Sequence, residues 1–218
     1  RAFSEYIIGS FTLVAEAITI KDPSLDAPTS ILNQVGDQST TGFRSSVFRD
    51  TRDNFQDPRV GSRSGVRLGF GSEVFGGSNN FYRINLDSLK YVPLPFWDFR
   101  AAFRSRFGIA KGYGGAATPL TELFFVGGIN TLRGFRFGRA GPVTSSGTLQ
   151  GSNKQIILNT ELIFPVLADA HLNGVVFFDY GKGFAESEDL DFDLRSASGF
   201  EVRWISPFGP LRGAWGIN

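Results

Sequence analysis

The residue types that usually perform catalysis are scarce in this sequence. It contains one histidine, His171, and no cysteine, which excludes a thiol nucleophile and thiolate metal sites and leaves little material for a zinc site or an acid–base pair. No Gly-x-Ser-x-Gly sequence accompanies His171, so a hydrolase arrangement is not supported. We expect this histidine to lie on the surface, in the turn between residues 167 and 172, and we predict that the protein is not an enzyme.

Two further patterns could bind a metal or a cofactor, and neither is complete. The acidic run from Glu186 to Asp193 contains an Asp-x-Asp-x-Asp spacing, but Leu194 stands where a calcium loop needs glycine. The glycine-rich segments at 69–71 and 112–115 do not open a helix, as a dinucleotide-binding loop would. We therefore predict a solvated acidic loop, no metal site and no cofactor.

Composition narrows the classes of partner. The 22 basic and 21 acidic residues nearly cancel, so nucleic acid is not predicted as a ligand. The 23 phenylalanines and 27 glycines favour strands and tight turns over helices. No segment approaches the ~18 consecutive apolar residues of a membrane-spanning helix, but a transmembrane barrel uses ~10-residue alternating strands instead.

Alternation with a period of two is clearest between Phe99 and Phe107. One face carries Phe99, Ala101, Phe103 and Phe107, and the other carries Arg100, Ala102, Arg104 and Arg106. This period is typical of a β-strand. Similar patterns predict nine strands and no convincing helix: they lie at 3–20, 42–51, 66–71, 82–87, 99–107, 156–164, 176–180, 200–204 and 211–218.

The connections between these strands alternate in kind. Short proline-containing turns follow every second strand, at residues 57–59, 92–95, 164–166 and 206–210, whereas longer polar or glycine-rich connections lie at 21–41, 109–154 and 182–195. Aromatic residues gather near the proline turns: Tyr91, Phe96, Trp97, Phe99, Trp204 and Phe208. This arrangement is typical of an antiparallel up-and-down transmembrane β-barrel with an interfacial aromatic girdle. A soluble β-sandwich is the alternative.

The longest connection, at about 110–154, carries the most informative residues. Its apolar side chains, among them Leu132 and Phe135, predict that it folds back into the barrel lumen. Arg133 would then need a carboxylate, and alternation places Glu161 and Asp179 on the lumen side of the next two strands. We predict that Arg133 pairs with Glu161 and Asp179 and fastens the loop there. The alternative is an Arg133 side chain that stays in water.

The loop around Arg133 and several other segments resemble the BamA superfamily of outer-membrane assembly barrels. Its members share a loop of the form (V/L)RG(F/Y), which matches Leu132, Arg133, Gly134 and Phe135, preceded here by Gly127 and Gly128. Four other segments agree in order: 49–54 with Pro58 and Gly61, 161–165, 177–181 and 206–211. Among members, the Ser-Pro-Phe-Gly-Pro turn at 206–210 is most similar to that of bacterial BamA.

The resemblance implies a 16-stranded outer-membrane barrel that inserts β-barrel proteins without nucleotide hydrolysis. It implies that the loop arginine contacts acidic residues on the next two strands, and that client strands pair at a seam between the first and last strands. The implied partners are outer-membrane lipids, unfolded β-barrel clients, and periplasmic accessory lipoproteins and chaperones.

Residues 1–218 would form part of one barrel domain, as its seventh to fifteenth strands. We expect the periplasmic domains and the two seam strands to lie outside this sequence. A related polypeptide-translocating barrel, of the two-partner secretion or TamA type, is the alternative function.

Overall fold

The computed structural model describes residues 4–23 and 27–218, and these form one antiparallel sheet of nine strands in the order β1 to β9. The strands are β1 Ile7–Ile20, β2 Gly36–Asp50, β3 Gly61–Gly71, β4 Phe81–Pro93, β5 Arg100–Gly112, β6 Lys154–Leu167, β7 Leu172–Phe184, β8 Arg195–Ser206 and β9 Gly209–Ile217. Each strand pairs with its neighbours in sequence, so the predicted all-β, up-and-down topology is confirmed. A two-layered sandwich is excluded because the strands form a single sheet.

Helical structure in residues 4–23 and 27–218 is confined to short turns. One α-helical turn, α1, spans Thr29–Leu32, and 3-10 turns lie at Glu73–Phe75, Leu120–Glu122 and Ala168–Ala170. In the described part of the chain, no helix is long and apolar enough to cross a membrane.

Alternation assigned the faces of the strands correctly. On β5, Phe103 and Phe107 remain 47% and 43% exposed, whereas Ala102 is 2% exposed and Arg100 is 6% exposed. The face that carries Arg100 is covered by the connection between β5 and β6, and we call it the loop face. The opposite, outward face displays a band of large apolar side chains: Leu86, Phe103, Phe107, Val176, Phe178 and Phe200.

Most strands are longer than predicted; β4, for example, ends at Pro93 instead of residue 87. The first two strands differ from the prediction at their starts. β1 begins at Ile7, and Phe3, where we expected it to begin, lies outside the described residues. β2 begins at Gly36 instead of Gly42, and residues 36–41 pair with residues 15–20 of β1. Backbone hydrogen bonds extend this hairpin through polar residues that lack alternation, because ladder pairing does not depend on side-chain polarity.

The prediction of short turns after every second strand was wrong for one of the four. Residues 94–99, 168–171 and 207–208 are short, but the connection from β2 to β3 spans residues 51–60. Asp53 keeps this connection compact by accepting the backbone N–H groups of Arg59 and Val60 at 2.9 and 3.2 Å. Burial alone would raise the pKa of Asp53, but these donors lower it below its usual value.

Aromatic side chains cluster at the short-turn end of the sheet. The ring of Phe96 lies 6.0 Å from Trp97 and 5.7 Å from Phe99, and Phe99 contacts Phe164 on β6 at 5.5 Å. Phe208, in the last turn, is 98% exposed. These contacts form an apolar rim at this end of the sheet.

Candidate loop-anchoring site

The connection between β5 and β6, residues 113–153, is the long loop of this structure and carries most of the predicted site residues. Its tip is a tight turn around Gly127 and Gly128. The Gly128 N–H donates to the carbonyls of Leu132 and Phe135 at 3.0 and 2.9 Å, and the Gly127 N–H donates to Thr131 Oγ1 at 2.8 Å. The turn therefore fixes the backbone on both sides of Arg133.

Gly134 lets this turn approach the sheet closely. Its φ is +88°, and a Cβ atom there would lie 3.1 Å from the Cβ of Ala197 and 3.3 Å from the backbone carbon of Gly216. A larger residue would be strained by its backbone conformation and would push the turn away from β8 and β9.

Apolar packing holds the turn against β6. Leu132 has no exposed surface and packs with Val126, Ala140 and Ile157, while Phe135 covers this cluster from one side. Because Leu132 and Phe135 flank Arg133 and Gly134, the packing directs the arginine toward the neighbouring strands. Leu132 and Arg133 are thus buried on the loop face, Phe135 is partly buried and Gly134 is exposed.

Arg133 is 5% exposed and is surrounded by carboxylates. Its Nε and Nη2 donate to Asp179 Oδ2 and Oδ1 at 2.8 and 2.6 Å, a bidentate geometry that is strong and directional. Nη1 donates to Glu161 Oε1 at 2.7 Å. The backbone N–H of Arg133 also donates to Asp179, at 2.9 Å. The structure therefore brings Arg133, Glu161 and Asp179 together.

Two more charged residues complete the cluster, and sequence reasoning did not include them. Glu201 on β8 accepts a second hydrogen bond from Arg133 Nη1 at 2.8 Å. Arg203, two residues further, donates to Glu201 and to Glu161 at 2.7 Å each. Both residues lie on one face of β8 because they are two positions apart. Alternation does not indicate how far the loop reaches toward them. Two arginines thus share three carboxylates.

Neighbouring polar and aromatic groups fix the orientation of these charges. The Asn159 side chain donates to Asp179 Oδ1 and to the Thr131 carbonyl, both at 2.8 Å, which links β6 to the loop. The Arg133 guanidinium lies 3.8 Å from the centre of the Phe177 ring, in a cation–π arrangement. Asp179 accepts four hydrogen bonds in all, and its side chain is fully buried.

The long loop also carries a second ionic contact, with the charges reversed. Glu122 is 3% exposed and accepts hydrogen bonds from Arg44 on β2 at 2.9 Å and from Arg83 on β4 at 3.1 Å. The Arg83 guanidinium also stacks on Phe124, 4.4 Å from the ring centre. Glu122 stands among apolar residues at 119–126, and this isolation was the sequence signal that it needs a partner.

Comparison with known proteins identifies the family. Residues 2–218 match the model of the Omp85 superfamily domain. The chain belongs to the Omp85 superfamily. This confirms the resemblance to the BamA superfamily, which rested on the Arg133 loop and on four segments elsewhere in the chain.

The relatives of this Omp85 chain include several proteins named outer membrane protein assembly factor BamA. The one from Nitratidesulfovibrio vulgaris is 30% identical over 196 residues, which cover 88% of this chain and 24% of that protein. The one from Neisseria meningitidis serogroup B is 26% identical over 253 residues, covering 96% and 31%. The chain therefore spans about a quarter to a third of the length of these curated relatives.

A solved structure has the same fold. The crystal structure of BamA from Haemophilus ducreyi lacking POTRA domains 1–3 superimposes with a TM-score of 0.71 at 20% identity, over 83% of this chain and 39% of that one. The predicted fold class, a partial antiparallel β-barrel, is confirmed by this match. The total of 16 strands concerns residues beyond this chain and stays a prediction.

His171 is exposed and occupies a left-handed turn conformation with φ of 52°. Within residues 4–23 and 27–218, no group of three or more histidine, aspartate or glutamate side chains is arranged to hold a metal ion. The ion pairs of the long loop lie elsewhere, at Arg133 and Glu122.

The Glu122 contact should stabilise the first part of the long loop against local opening. We expect Glu122→Gln to lower the free energy of local opening of residues 113–126 by about 1–3 kcal/mol, because the charge-assisted bonds to Arg44 and Arg83 are lost from a buried position. Native-state hydrogen exchange of the purified full-length protein measures this. Glu186→Gln, in the exposed connection 185–194, is the matched control and should change nothing. Unaltered exchange in residues 113–126 would contradict the prediction.

Proposed function

We propose that this chain forms part of the wall of an outer-membrane β-barrel that folds and inserts other β-barrel proteins without enzymatic catalysis. Family membership and the similarity to proteins named outer membrane protein assembly factor BamA support this assignment. The observation that carries it is the buried cluster in which Arg133 joins the long loop to Glu161, Asp179 and Glu201. The same residues that define the family motif make these contacts.

The two faces of the sheet support a location in the outer membrane. Side chains on the outward face are large, apolar and 43–54% exposed at Phe107, Phe103 and Phe200, and a band of this kind needs a non-aqueous neighbour. On the loop face, Arg44, Arg83, Arg133 and Arg203 pair with carboxylates. The aromatic rim around Phe96 and Trp97 would lie at the level of the lipid headgroups.

In the proposed mechanism, the Arg133 cluster has a positioning role. The loop supplies a rigid internal support, and the strands it contacts keep their spacing while other parts of the barrel rearrange. Client strands would pair with an exposed strand edge, because an unpaired edge is a template for strand addition. Unpaired backbone groups are costly in lipid, so pairing drives the client toward its folded state without nucleotide hydrolysis.

The proposed partners follow from this mechanism. Unfolded β-barrel clients and outer-membrane lipids would contact the barrel directly. Periplasmic accessory lipoproteins and chaperones would deliver the clients, through parts of the full-length protein beyond this chain. No nucleic acid, metal or cofactor has a part in the mechanism.

Reconstitution tests the proposal. Full-length protein in liposomes should accelerate the folding of a urea-denatured eight-stranded β-barrel client, measured by its heat-modifiable migration on a gel. We expect Arg133→Lys, which keeps the charge but loses the bidentate geometry, to slow this folding severalfold while the protein itself remains inserted. Equal client folding in empty liposomes would overturn the proposal.

The same liposomes separate the alternative function. A polypeptide-translocating barrel of the two-partner secretion or TamA type would carry a passenger across the bilayer, where external protease cannot digest it. An insertase would leave its client embedded, with strands protected and loops cleaved. The proposed function therefore requires that the client protein is embedded in the bilayer and not enclosed inside the liposome.

A further inference from the structure

A cavity of about 240 Å³ lies on the loop face beside the Arg133 cluster, between the loop tip and strands β4, β5, β8 and β9. Leu89 and Tyr91 form part of its wall. Its charged lining is dominated by arginine: Arg104, Arg106, Arg133, Arg203, Arg212 and one acid, Glu161.

Arg133 and Arg203 are fully engaged with carboxylates, but the other arginines are not. Arg106 Nη2 donates to the Asn130 carbonyl at 2.5 Å. Arg212 Nη2 donates to the Ile129 carbonyl at 3.0 Å and also contacts the Asn130 side chain. These acceptors are neutral, so they orient the guanidinium groups without balancing their charge.

Arg104 has no hydrogen-bond or ion-pair partner among the described residues. The Nε atoms of Arg104 and Arg106 are both buried and lack an acceptor within that same part of the chain. A buried donor without an acceptor costs free energy. An oxyanion in the cavity would supply acceptors for these groups.

The carboxylates nearest the cavity are already paired with arginines. Besides Glu161, the nearby carboxylates are Asp179 and Glu201 behind Arg133, and Asp87, which pairs in register with Arg106. Asp87 is itself shared with Arg63, at 4.0 Å. Among the described residues, Arg104, Arg106 and Arg212 have no carboxylate within 4.0 Å, so a carboxylate that enters the cavity would meet positive charge that is not yet paired.

We propose that this cavity binds one side-chain carboxylate of an acidic peptide, with Arg104 as its principal donor. The planar guanidinium matches a carboxylate in geometry as well as in charge. Tyr91 and Leu89 offer apolar surface for the methylene groups of a glutamate side chain. The inference does not require insertase activity: it needs only that a peptide reaches the loop face.

Peptide binding to full-length protein in detergent tests this. The probe is a fluorescent, end-blocked hexapeptide with one glutamate and otherwise uncharged residues, compared at fixed ionic strength with the same peptide carrying glutamine. We expect the glutamate peptide to bind about tenfold more tightly, since hydrogen bonds to a charged group contribute that much or more. Arg104→Gln should abolish the difference. Arg59→Gln, an exposed arginine in the 51–60 connection, should preserve it.

A second measurement uses the unmodified sequence, so that a folding defect in the variant does not decide the outcome. Phenylglyoxal modifies accessible guanidinium groups, and mass spectrometry reports the rate at each arginine. The glutamate peptide should slow modification of Arg104 and leave Arg59 unchanged. Equal affinities for the two peptides, or an unchanged rate at Arg104, would overturn the proposal.

Discussion

Arg133→Ala is expected to lower the free energy of unfolding by about 3–5 kcal/mol, the cost of breaking a buried ion pair by removing one partner. The side chains of Asp179 and Glu201 are both fully buried, so water cannot replace the lost hydrogen bonds without opening the loop. Arg203 still faces Glu201 and Glu161, but Asp179 would keep only the Asn159 side chain and backbone donors. Guanidinium titration of the full-length protein in detergent, followed by tryptophan fluorescence, measures the change.

Two variants calibrate the Arg133 result. Arg133→Lys keeps the charge and loses the fork geometry, so its effect should be intermediate. Arg59→Ala removes an arginine whose pair with Asp98 is half exposed, and surface pairs contribute only ~0–1 kcal/mol. An Arg133→Ala effect no larger than that of Arg59→Ala would mean that the cluster does not stabilise the protein.

Leu86→Arg should destabilise the protein in lipid by about 2–4 kcal/mol, as expected for a charge on the lipid face at mid-depth. Leu86 lies at the centre of β4, is 50% exposed, and pairs in register with Val66 and Phe107. An arginine there has apolar residues on both neighbouring strands. Folding into liposomes over a urea gradient measures the effect.

Phe103→Arg provides the control for depth. Phe103 is also on the outward face, but it lies nearer the short-turn end of β5 and pairs in register with Lys90. A new arginine beside that lysine can extend toward the headgroups, so the cost should be smaller than at Leu86. Equal costs at the two positions would contradict the assigned depth, and tolerance at both would show that the outward face does not meet lipid.

Alternation was sufficient to predict the sheet and to place Glu161 and Asp179 on the loop face, because a strand repeats every two residues whatever its surroundings. It could not predict how far the long loop extends, since the backbone around Gly127 and Gly128 follows no period. Glu201 was therefore not predicted to join the cluster. Glu122 was not predicted because its partners on β2 and β4 are distant in sequence and are brought near only by the folded loop.

The early start of β2 was missed for a different reason. Residues 37–41 are polar and do not alternate, and only their pairing with β1 makes them a strand. The role proposed for Arg133 and its partners stays a prediction, although their contacts are now defined.

The long loop reaches nearly the full width of the sheet. At one end Glu122 contacts Arg44 on the second strand, and at the other Asn130 contacts Arg212 on the ninth. The long loop thus links the second strand to the ninth and limits the distance between them. We expect these strands to keep their spacing as long as both ends of the loop stay bound. Any widening of the complete barrel should therefore be concentrated in strands that the loop does not cross.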